Sequence, residues 1–239
     1  MRIAVVSDIH GNRTAFEAVL ADLRETAPDL ILHGGDLVHG GASSPEIVDW
    51  IRDLGWPGVF GNTDEMLFRP ESLSDFASHS PQLAEMWAAI EEMAAFDREA
   101  LGEARLDWLR SLPPAQAYPP VALVHGKPGD AWRAPAPEAA DADLVSVYGP
   151  LGQPITVYGH IHRPYFRNLS GSVVANAGSV SLSLDGDPRA CYLLLDGDAP
   201  VIRRVQYNVE KEVQALAASR MPHAGWVVRM LETARPQMP

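Results

Sequence analysis

Short apolar, β-branched runs constrain this chain most: 3–6, 30–32, 59–60, 121–124, 155–158, 173–175, 191–195 and 201–205 each read as a buried strand. Helical patterns separate the early ones. Phe16, Val19, Leu20 and Leu23 fall on one helical face, and Ser44-Pro45 is a start signal for a second helix carrying Ile47, Val48, Ile51 and Leu54. Strand followed by helix, repeated, implies an α/β sheet with crossover connections. The later runs follow one another with few helical residues between them, which predicts antiparallel pairing or a second sheet. An α/β sandwich is the economical architecture.

Residues 65–115 depart from this rhythm and predict a small helical cap inserted between strands. Leu83, Met86, Trp87, Ile90 and Met93 are at helical spacing after Ser80-Pro81, and Leu106, Leu109 and Leu112 continue the pattern. Amphipathic spacing alone accounts for the Met and Trp residues, so they are expected in the core rather than against a ligand. Residues 127–137, with Pro128, Gly129, Pro135 and Pro137, read as a loop. The expected organisation is one domain over 1–208, the cap included. A helical tail over 209–239 carries Val213, Leu216, Trp226, Val227, Met230 and Leu231, and packs on that domain or against a second copy in a homodimer.

Composition bounds the possibilities. With 239 residues, 46% of them apolar, the chain can bury a core of its own. No apolar stretch approaches the length of a membrane span, and the opening run meets Asp8 and His10 too soon for a secretory signal, so a cytoplasmic location is expected. Cys191 is the single cysteine, which excludes disulfides and cysteine-based metal sites within one chain. A formal charge of -12 disfavours long nucleic acid as a partner. It does not exclude a phosphate-bearing ligand, because bound cations reverse the field inside one acidic pocket.

Polar clusters stand directly after the apolar runs: SDIHGN with Asp8 and His10, GGD with Asp36, FGNTD with Asn62, VHGKP with His125, and YGHIH with His160 and His162. Ligands of open α/β sheets bind outside the carboxyl ends of the strands, so such clusters converge in space. The alternating pairs Asp8-x-His10 and His160-x-His162 each put two side chains on one side of an extended end. Mixed carboxylate, amide and imidazole donors suit Mn, Fe or Zn better than Mg. A single carboxylate bridges two cations about 3.5–4 Å apart through its two oxygens, and Asp36, after Gly34-Gly35, is the candidate. Taken singly, an aspartate beside glycine is ordinary turn chemistry and a lone histidine an ordinary structural residue. Their joint recurrence at strand ends is what points to metal.

The order DxH, GD, GN, H and GHxH resembles that of the calcineurin-like metallophosphoesterase superfamily. SDIHGN, GNTD, NAGSV and GDPRACYLLLD are most similar to its small bacterial phosphodiesterases and diadenosine-tetraphosphatase-like proteins. The resemblance implies a four-layer α/β/β/α sandwich. It also implies two divalent ions, Mn foremost with Fe, Zn, Ni or Mg as alternatives. Asp8, His10 and His162 would hold one, Asn62, His125 and His160 the other, and Asp36 both. A hydroxide between the ions would attack phosphorus in line, with Asp36, Asn62, Asp64 and His125 counted as catalytic.

One position departs from the family pattern. Many members have a histidine after GN that serves the leaving group, and here Thr63 stands there, with Asp64 keeping the acidic position. This favours diesters, anhydrides or activated monoesters, whose leaving groups need less help. The expected partner is a small phosphorylated substrate, with a nucleotide among the candidates. Asn12, Asn62 and Arg163 are candidate substrate contacts, with turn chemistry or plain surface exposure as alternatives for Asn12 and Arg163. Arg13 and Lys127 are weaker candidates, and Asn176, Gly178 and Ser179 are expected to shape a turn beneath the site. A phosphomonoesterase or phosphoprotein phosphatase, and a non-catalytic binding scaffold, remain the competing readings.

Overall fold

A computed structural model describes residues 1–197 and 199–239. In chain order the elements are β1 (Arg2–Val6), α1 (Arg13–Thr26), β2 (Leu30–His33), α2 (Ser44–Leu54), α3 (Asn62–Phe68), α4 (Glu71–Ala77), α5 (Ala84–Ser111), β3 (Ala115–Tyr118), β4 (Val121–Val124), α6 (Asp141–Tyr148), β5 (Ile155–Tyr158), β6 (Tyr165–Leu169), β7 (Ser172–Asn176), β8 (Ala190–Asp196), β9 (Ala199–Val205), α7 (Val209–Ser219) and α8 (Ala224–Thr233). They form two mixed sheets, ordered β2-β1-β8-β9 and β3-β4-β5-β7-β6. β1 runs parallel to β2 and antiparallel to β8, while β4, β5 and β7 run parallel to one another.

Three apolar seams stack these layers. Between the sheets, Ile3, Val5 and Leu193 of the first face Leu123, Val157 and Ala175 of the second. Phe16, Val19, Ile47, Ile51 and Leu109 bring α1, α2 and α5 onto the outer face of the first sheet. Leu144 and Tyr148 of α6 cover the second against Val124 and Tyr158. Helices, sheet, sheet and helix make the four-layer α/β/β/α sandwich.

Local chemistry explains the element ends. α1 starts where the Asn12 side chain accepts from the Ala15 amide, and α2 starts with proline in its first turn and stops at Gly55 in a left-handed conformation. Residues 59–60, expected as a strand, make no ladder: a single bridge ties Gly58 to His33, and the Phe60 amide turns to Pro113. β3 and β6, which the apolar pattern does not suggest, are the edge strands of the second sheet. Alternate residues meet water, Ala117 on β3 and Phe166 and Asn168 on β6, so neither needs the unbroken apolar run of a central strand.

The helical excursion comprises α3, α4 and α5, with a kink at Gly102. The tail returns to it. Leu216, Trp226, Val227 and Leu231 pack with Ala89 and Met93 of α5. No described helix is long and apolar enough to cross a membrane.

His33 ends β2 fully buried, beside Trp108, and neither ring nitrogen has a hydrogen-bond partner among the described residues. Burial pushes its pKa down to about 3. The unfolded chain therefore binds a proton more readily than the folded one. Stability from this residue is present above about pH 6.5 and lost as pH falls toward 3, at up to ~1.4 kcal/mol per pH unit. Denaturant titrations at pH 7 and pH 5 should show wild type losing about 2 kcal/mol more than His33→Gln; equal losses would contradict this account.

Candidate metal centre

Asp8 and His10 follow β1, Asp36 follows β2, His125 follows β4, and His160 and His162 follow β5, while Asn62 is the first residue of α3. Asp8, His10, Asp36, His160 and His162 all hold positive φ, between 50° and 67°. Non-glycine residues avoid this region, and such strain persists only where surrounding structure fixes it, most often at functional sites. The neighbouring glycines have a steric reason. A Cβ on Gly61 would lie 2.0 Å from Asp36 Oδ1, and one on Gly159 would lie 2.5 Å from Asp8 Oδ2.

The side chains form two nests. In the first, Asp8 Oδ1 is 3.0 Å from His162 Nε2, which is 3.2 Å from His10 Nε2. Donor atoms of Asp8, His10, Asp36 and His162 all lie within 4.8 Å of one another, and all four residues are buried. In the second, Asn62 Oδ1 is 3.0 Å from His125 Nε2 and 2.8 Å from His160 Nδ1. Asp36 Oδ2 faces both, at 3.7 Å from His10 Nε2 and 3.4 Å from His125 Nε2. Asp36 Oδ1 accepts from the Thr63 amide at 2.9 Å, so Oδ2 is the oxygen that faces both nests.

Backbone carbonyls orient three of the rings. Nδ1 of His10, His125 and His162 lies 2.8, 2.8 and 2.6 Å from the carbonyls of His39, Gly34 and Leu182. A carbonyl accepts only, so each Nδ1 carries the proton and each Nε2 turns to the site, the arrangement typical of metal-ligating histidine. Two such Nε2 atoms 3.2 Å apart require a shared positive charge, a proton or a cation. Asp8 Oδ2 is buried without a partner among the described residues. Hard oxygens, imidazole nitrogens and an unsatisfied carboxylate fit divalent transition-metal ions.

Electrostatics divide each nest between one charged and one neutral histidine. Burial works against the charge on His125, but Asp36 raises it to about 10; burial opposes His162 likewise, and Asp8 raises it. Burial and the neighbouring charged ring lower His10 and His160 to about 4. Asp36 stays well below the carboxylate range, since His125 and the Thr63 amide outweigh its burial. A cation entering either nest displaces a proton.

Three expected roles change. Asp64 spans the amides of Gly61 and Leu37, both at 2.9 Å, which ties the Asp36 loop to the Asn62 turn. Both oxygens are engaged away from the nests, so Asp64 is a positioning group rather than a catalytic one; burial and then Asp36 raise its pKa to about 7. Asn12 caps α1, donates to Ser181 Oγ at 3.1 Å and is fully buried. Arg163 pairs with Glu138 at 2.7 Å on the surface. Arg13 pairs with Glu17. Asn176 donates to the Gly159 carbonyl and accepts from the Gly178 amide, beneath the site.

His39, three residues after Asp36 in GDLVHGG, carries no sequence signal of a role. Its carbonyl orients His10, and its ring lies 3.2 Å from Asp97, which also accepts from Ser44 Oγ at 2.8 Å. The cavities carry none either. One of about 420 Å³ is lined by His10, Asn62 and His160 together with Ile90 and with Met86, Trp87 and Met93, the Met and Trp residues expected to be only core. Helical spacing identifies an apolar face but not which part of it is covered. Another cavity, of about 410 Å³, adjoins His125 and carries Arg69, Lys127, Asp130 and Arg133.

A two-sheet sandwich with paired aspartate and histidine nests at the strand ends is the metallophosphoesterase arrangement. Residues 1–199 match the calcineurin-like phosphoesterase superfamily domain, and the chain belongs to that superfamily of metal-dependent hydrolases. It is 30% identical to an uncharacterised protein of Methanocaldococcus jannaschii, over 92% of this chain and 93% of that one. A shorter match, 32% identical over 46% of this chain and 47% of the relative, is to a probable cyclic nucleotide phosphodiesterase of Synechococcus sp.. The crystal structure of a metallophosphoesterase from Sphaerobacter thermophilus is similar at TM-score 0.79 and 25% identity, over 98% of this chain and 100% of that one.

Gly159→Ala would drive a methyl group into Asp8 Oδ2 and Ser7 Oγ. A competition titration against a chelating dye should show roughly ten- to hundredfold weaker metal binding. Unchanged affinity would mean that the Asp8 carboxylate is not placed by this close approach.

Proposed function

We propose that the chain hydrolyses a phosphodiester or a nucleotide phosphoanhydride at a two-cation centre. The observation that carries the reading is the position of Asp36 Oδ2, within 3.7 Å of a nitrogen from each nest. When bound, divalent cations supply a water of lowered pKa and neutralise charge that develops on the phosphoryl oxygens. Asp8, His10 and His162 would hold one, and Asn62, His125 and His160 the other. Manganese is the preferred ion on donor chemistry. The protein's part is placement: carbonyls aim the imidazoles, and Asp64 fixes the two loops that carry Asp36 and Asn62.

Thr63 decides the preferred ester. Its hydroxyl donates to the Val38 carbonyl at 3.0 Å, so it brings no proton to a departing alkoxide. Diesters with good leaving groups and anhydrides are favoured over unactivated monoesters, and the similarity to a probable cyclic nucleotide phosphodiesterase points the same way. A small-molecule substrate suits the site, because side chains of α5 and α8 line the cavity that adjoins it. A cytoplasmic setting, where the lone buried Cys191 stays reduced, suits this reading.

The test is turnover by manganese-replete protein of bis(p-nitrophenyl) phosphate, p-nitrophenyl phosphate, diadenosine tetraphosphate and cyclic nucleotides. A diester or anhydride should turn over fastest, activity should vanish with chelator, and His125→Ala should lower kcat by at least about a hundredfold. Thr63→His should raise the relative rate on alkyl monophosphates. No turnover of any of these would favour a binding scaffold of the same fold.

A further inference from the structure

We propose that the 420 Å³ cavity beside His10 and His160 is a subsite for an uncharged apolar arm, alkyl or aryl, of the phosphoester; this rests on the diesterase reading above. The cavity opens on the nests, since His10, Asn62 and His160 form one end of it. Its other walls come from separate stretches of chain: Met86, Trp87 and Ile90 of α5, Trp226 and Met230 of α8, and Leu184. Met86, Trp87, Ile90, Leu184 and Met230 are only partly buried, so hydrocarbon surface remains uncovered next to a polar centre.

The lining chooses among organic groups. Each indole that meets the cavity has its N–H engaged elsewhere: Trp87 donates to Ser80, Trp226 to the Gln237 carbonyl at 2.9 Å, and Trp132 to Glu65 at 2.7 Å. These rings offer carbon faces and no donors. The polar side chains of the lining, His10, His39, Asn62, Thr63 and His160, belong to the metal centre and its immediate neighbours, and the other lining side chains carry no amide, hydroxyl or carboxylate to read a nucleobase edge. A base buried there would leave its donors and acceptors unpaired, whereas a hydrocarbon gains by leaving water. Methionine side chains adapt to irregular apolar shapes. At ~30 Å³ per water-sized group, the space takes on the order of a dozen heavy atoms.

The second cavity, beyond Trp132 and Phe76, adjoins His125 and is lined by Arg69, Lys127 and Arg133 with Glu65 and Asp130. Trp132 and Phe76 line both spaces. The polar arm of an unsymmetrical ester is thereby directed to one side and the apolar arm to the other. The substrate class this selects is an amphipathic phosphodiester.

The test is calorimetric binding of O-methyl alkylphosphonates, methyl to octyl, to the manganese-loaded full chain; the P–C bond keeps the alkyl arm in place. Affinity should climb about fourfold per methylene until the cavity fills. Met230→Glu should flatten the series and Met230→Leu should retain it. Ile90→Phe, which only removes volume, should bring the plateau to shorter chains, with manganese content and melting temperature confirming that each variant is folded. A flat series in wild type, or an unchanged slope in Met230→Glu, would overturn the subsite. If the same preparation hydrolyses bis(p-nitrophenyl) phosphate, that result removes the subsite alone; rising affinity without hydrolysis removes the diesterase reading and keeps the subsite.

Discussion

The carboxylate of Asp36 sits where two groups of histidines meet, and most of the surrounding structure serves to keep it there. Oδ2 faces His10 on one side and His125 on the other, while Oδ1 is held by the Thr63 amide. A buried carboxylate among neutral groups would protonate; the positive charge on His125 holds it ionised. Asp64 acts one step further out, joining the loop after β2 to the first turn of α3. Loss of that tie would let the Asp36 and Asn62 segments move independently.

The sandwich makes this arrangement possible. β1 and β2 belong to one sheet, β4 and β5 to the other, and the seam between them brings four strand ends to one place. Left-handed backbone at five of the donor residues is unfavourable in isolation. It persists because the glycines beside them approach other side chains more closely than any Cβ permits, and because the strand residues next to them are buried. The excursion of α3 to α5 and the α8 tail then close over the polar centre, and their exposed carbon surface gives it an apolar neighbour.

The parts of this molecule with a period or a fixed chemical spacing are legible in its amino-acid sequence. The central strands are apolar on both faces, and the Asp8-His10 and His160-His162 pairs stand at their ends, so sheet and donor set can be read together. β3 and β6 escape because an edge strand needs only one apolar face. Asn12, Asp64 and Arg163 show the converse limit. A polar residue near a site has the same sequence signature whether it meets ligand, caps a helix or ties two loops, and only its hydrogen-bond partners distinguish these. His39 and the indole partners are invisible for the same reason.

One carboxylate serving two cation sites is the central claim, and counting ions tests it without reference to substrate. Metal analysis of manganese-saturated, desalted protein, with anomalous scattering to locate the ions, should give two per chain on either side of Asp36 and no more than one in Asp36→Ala. Two ions retained in that variant, or fewer than two in the saturated wild type, would contradict it.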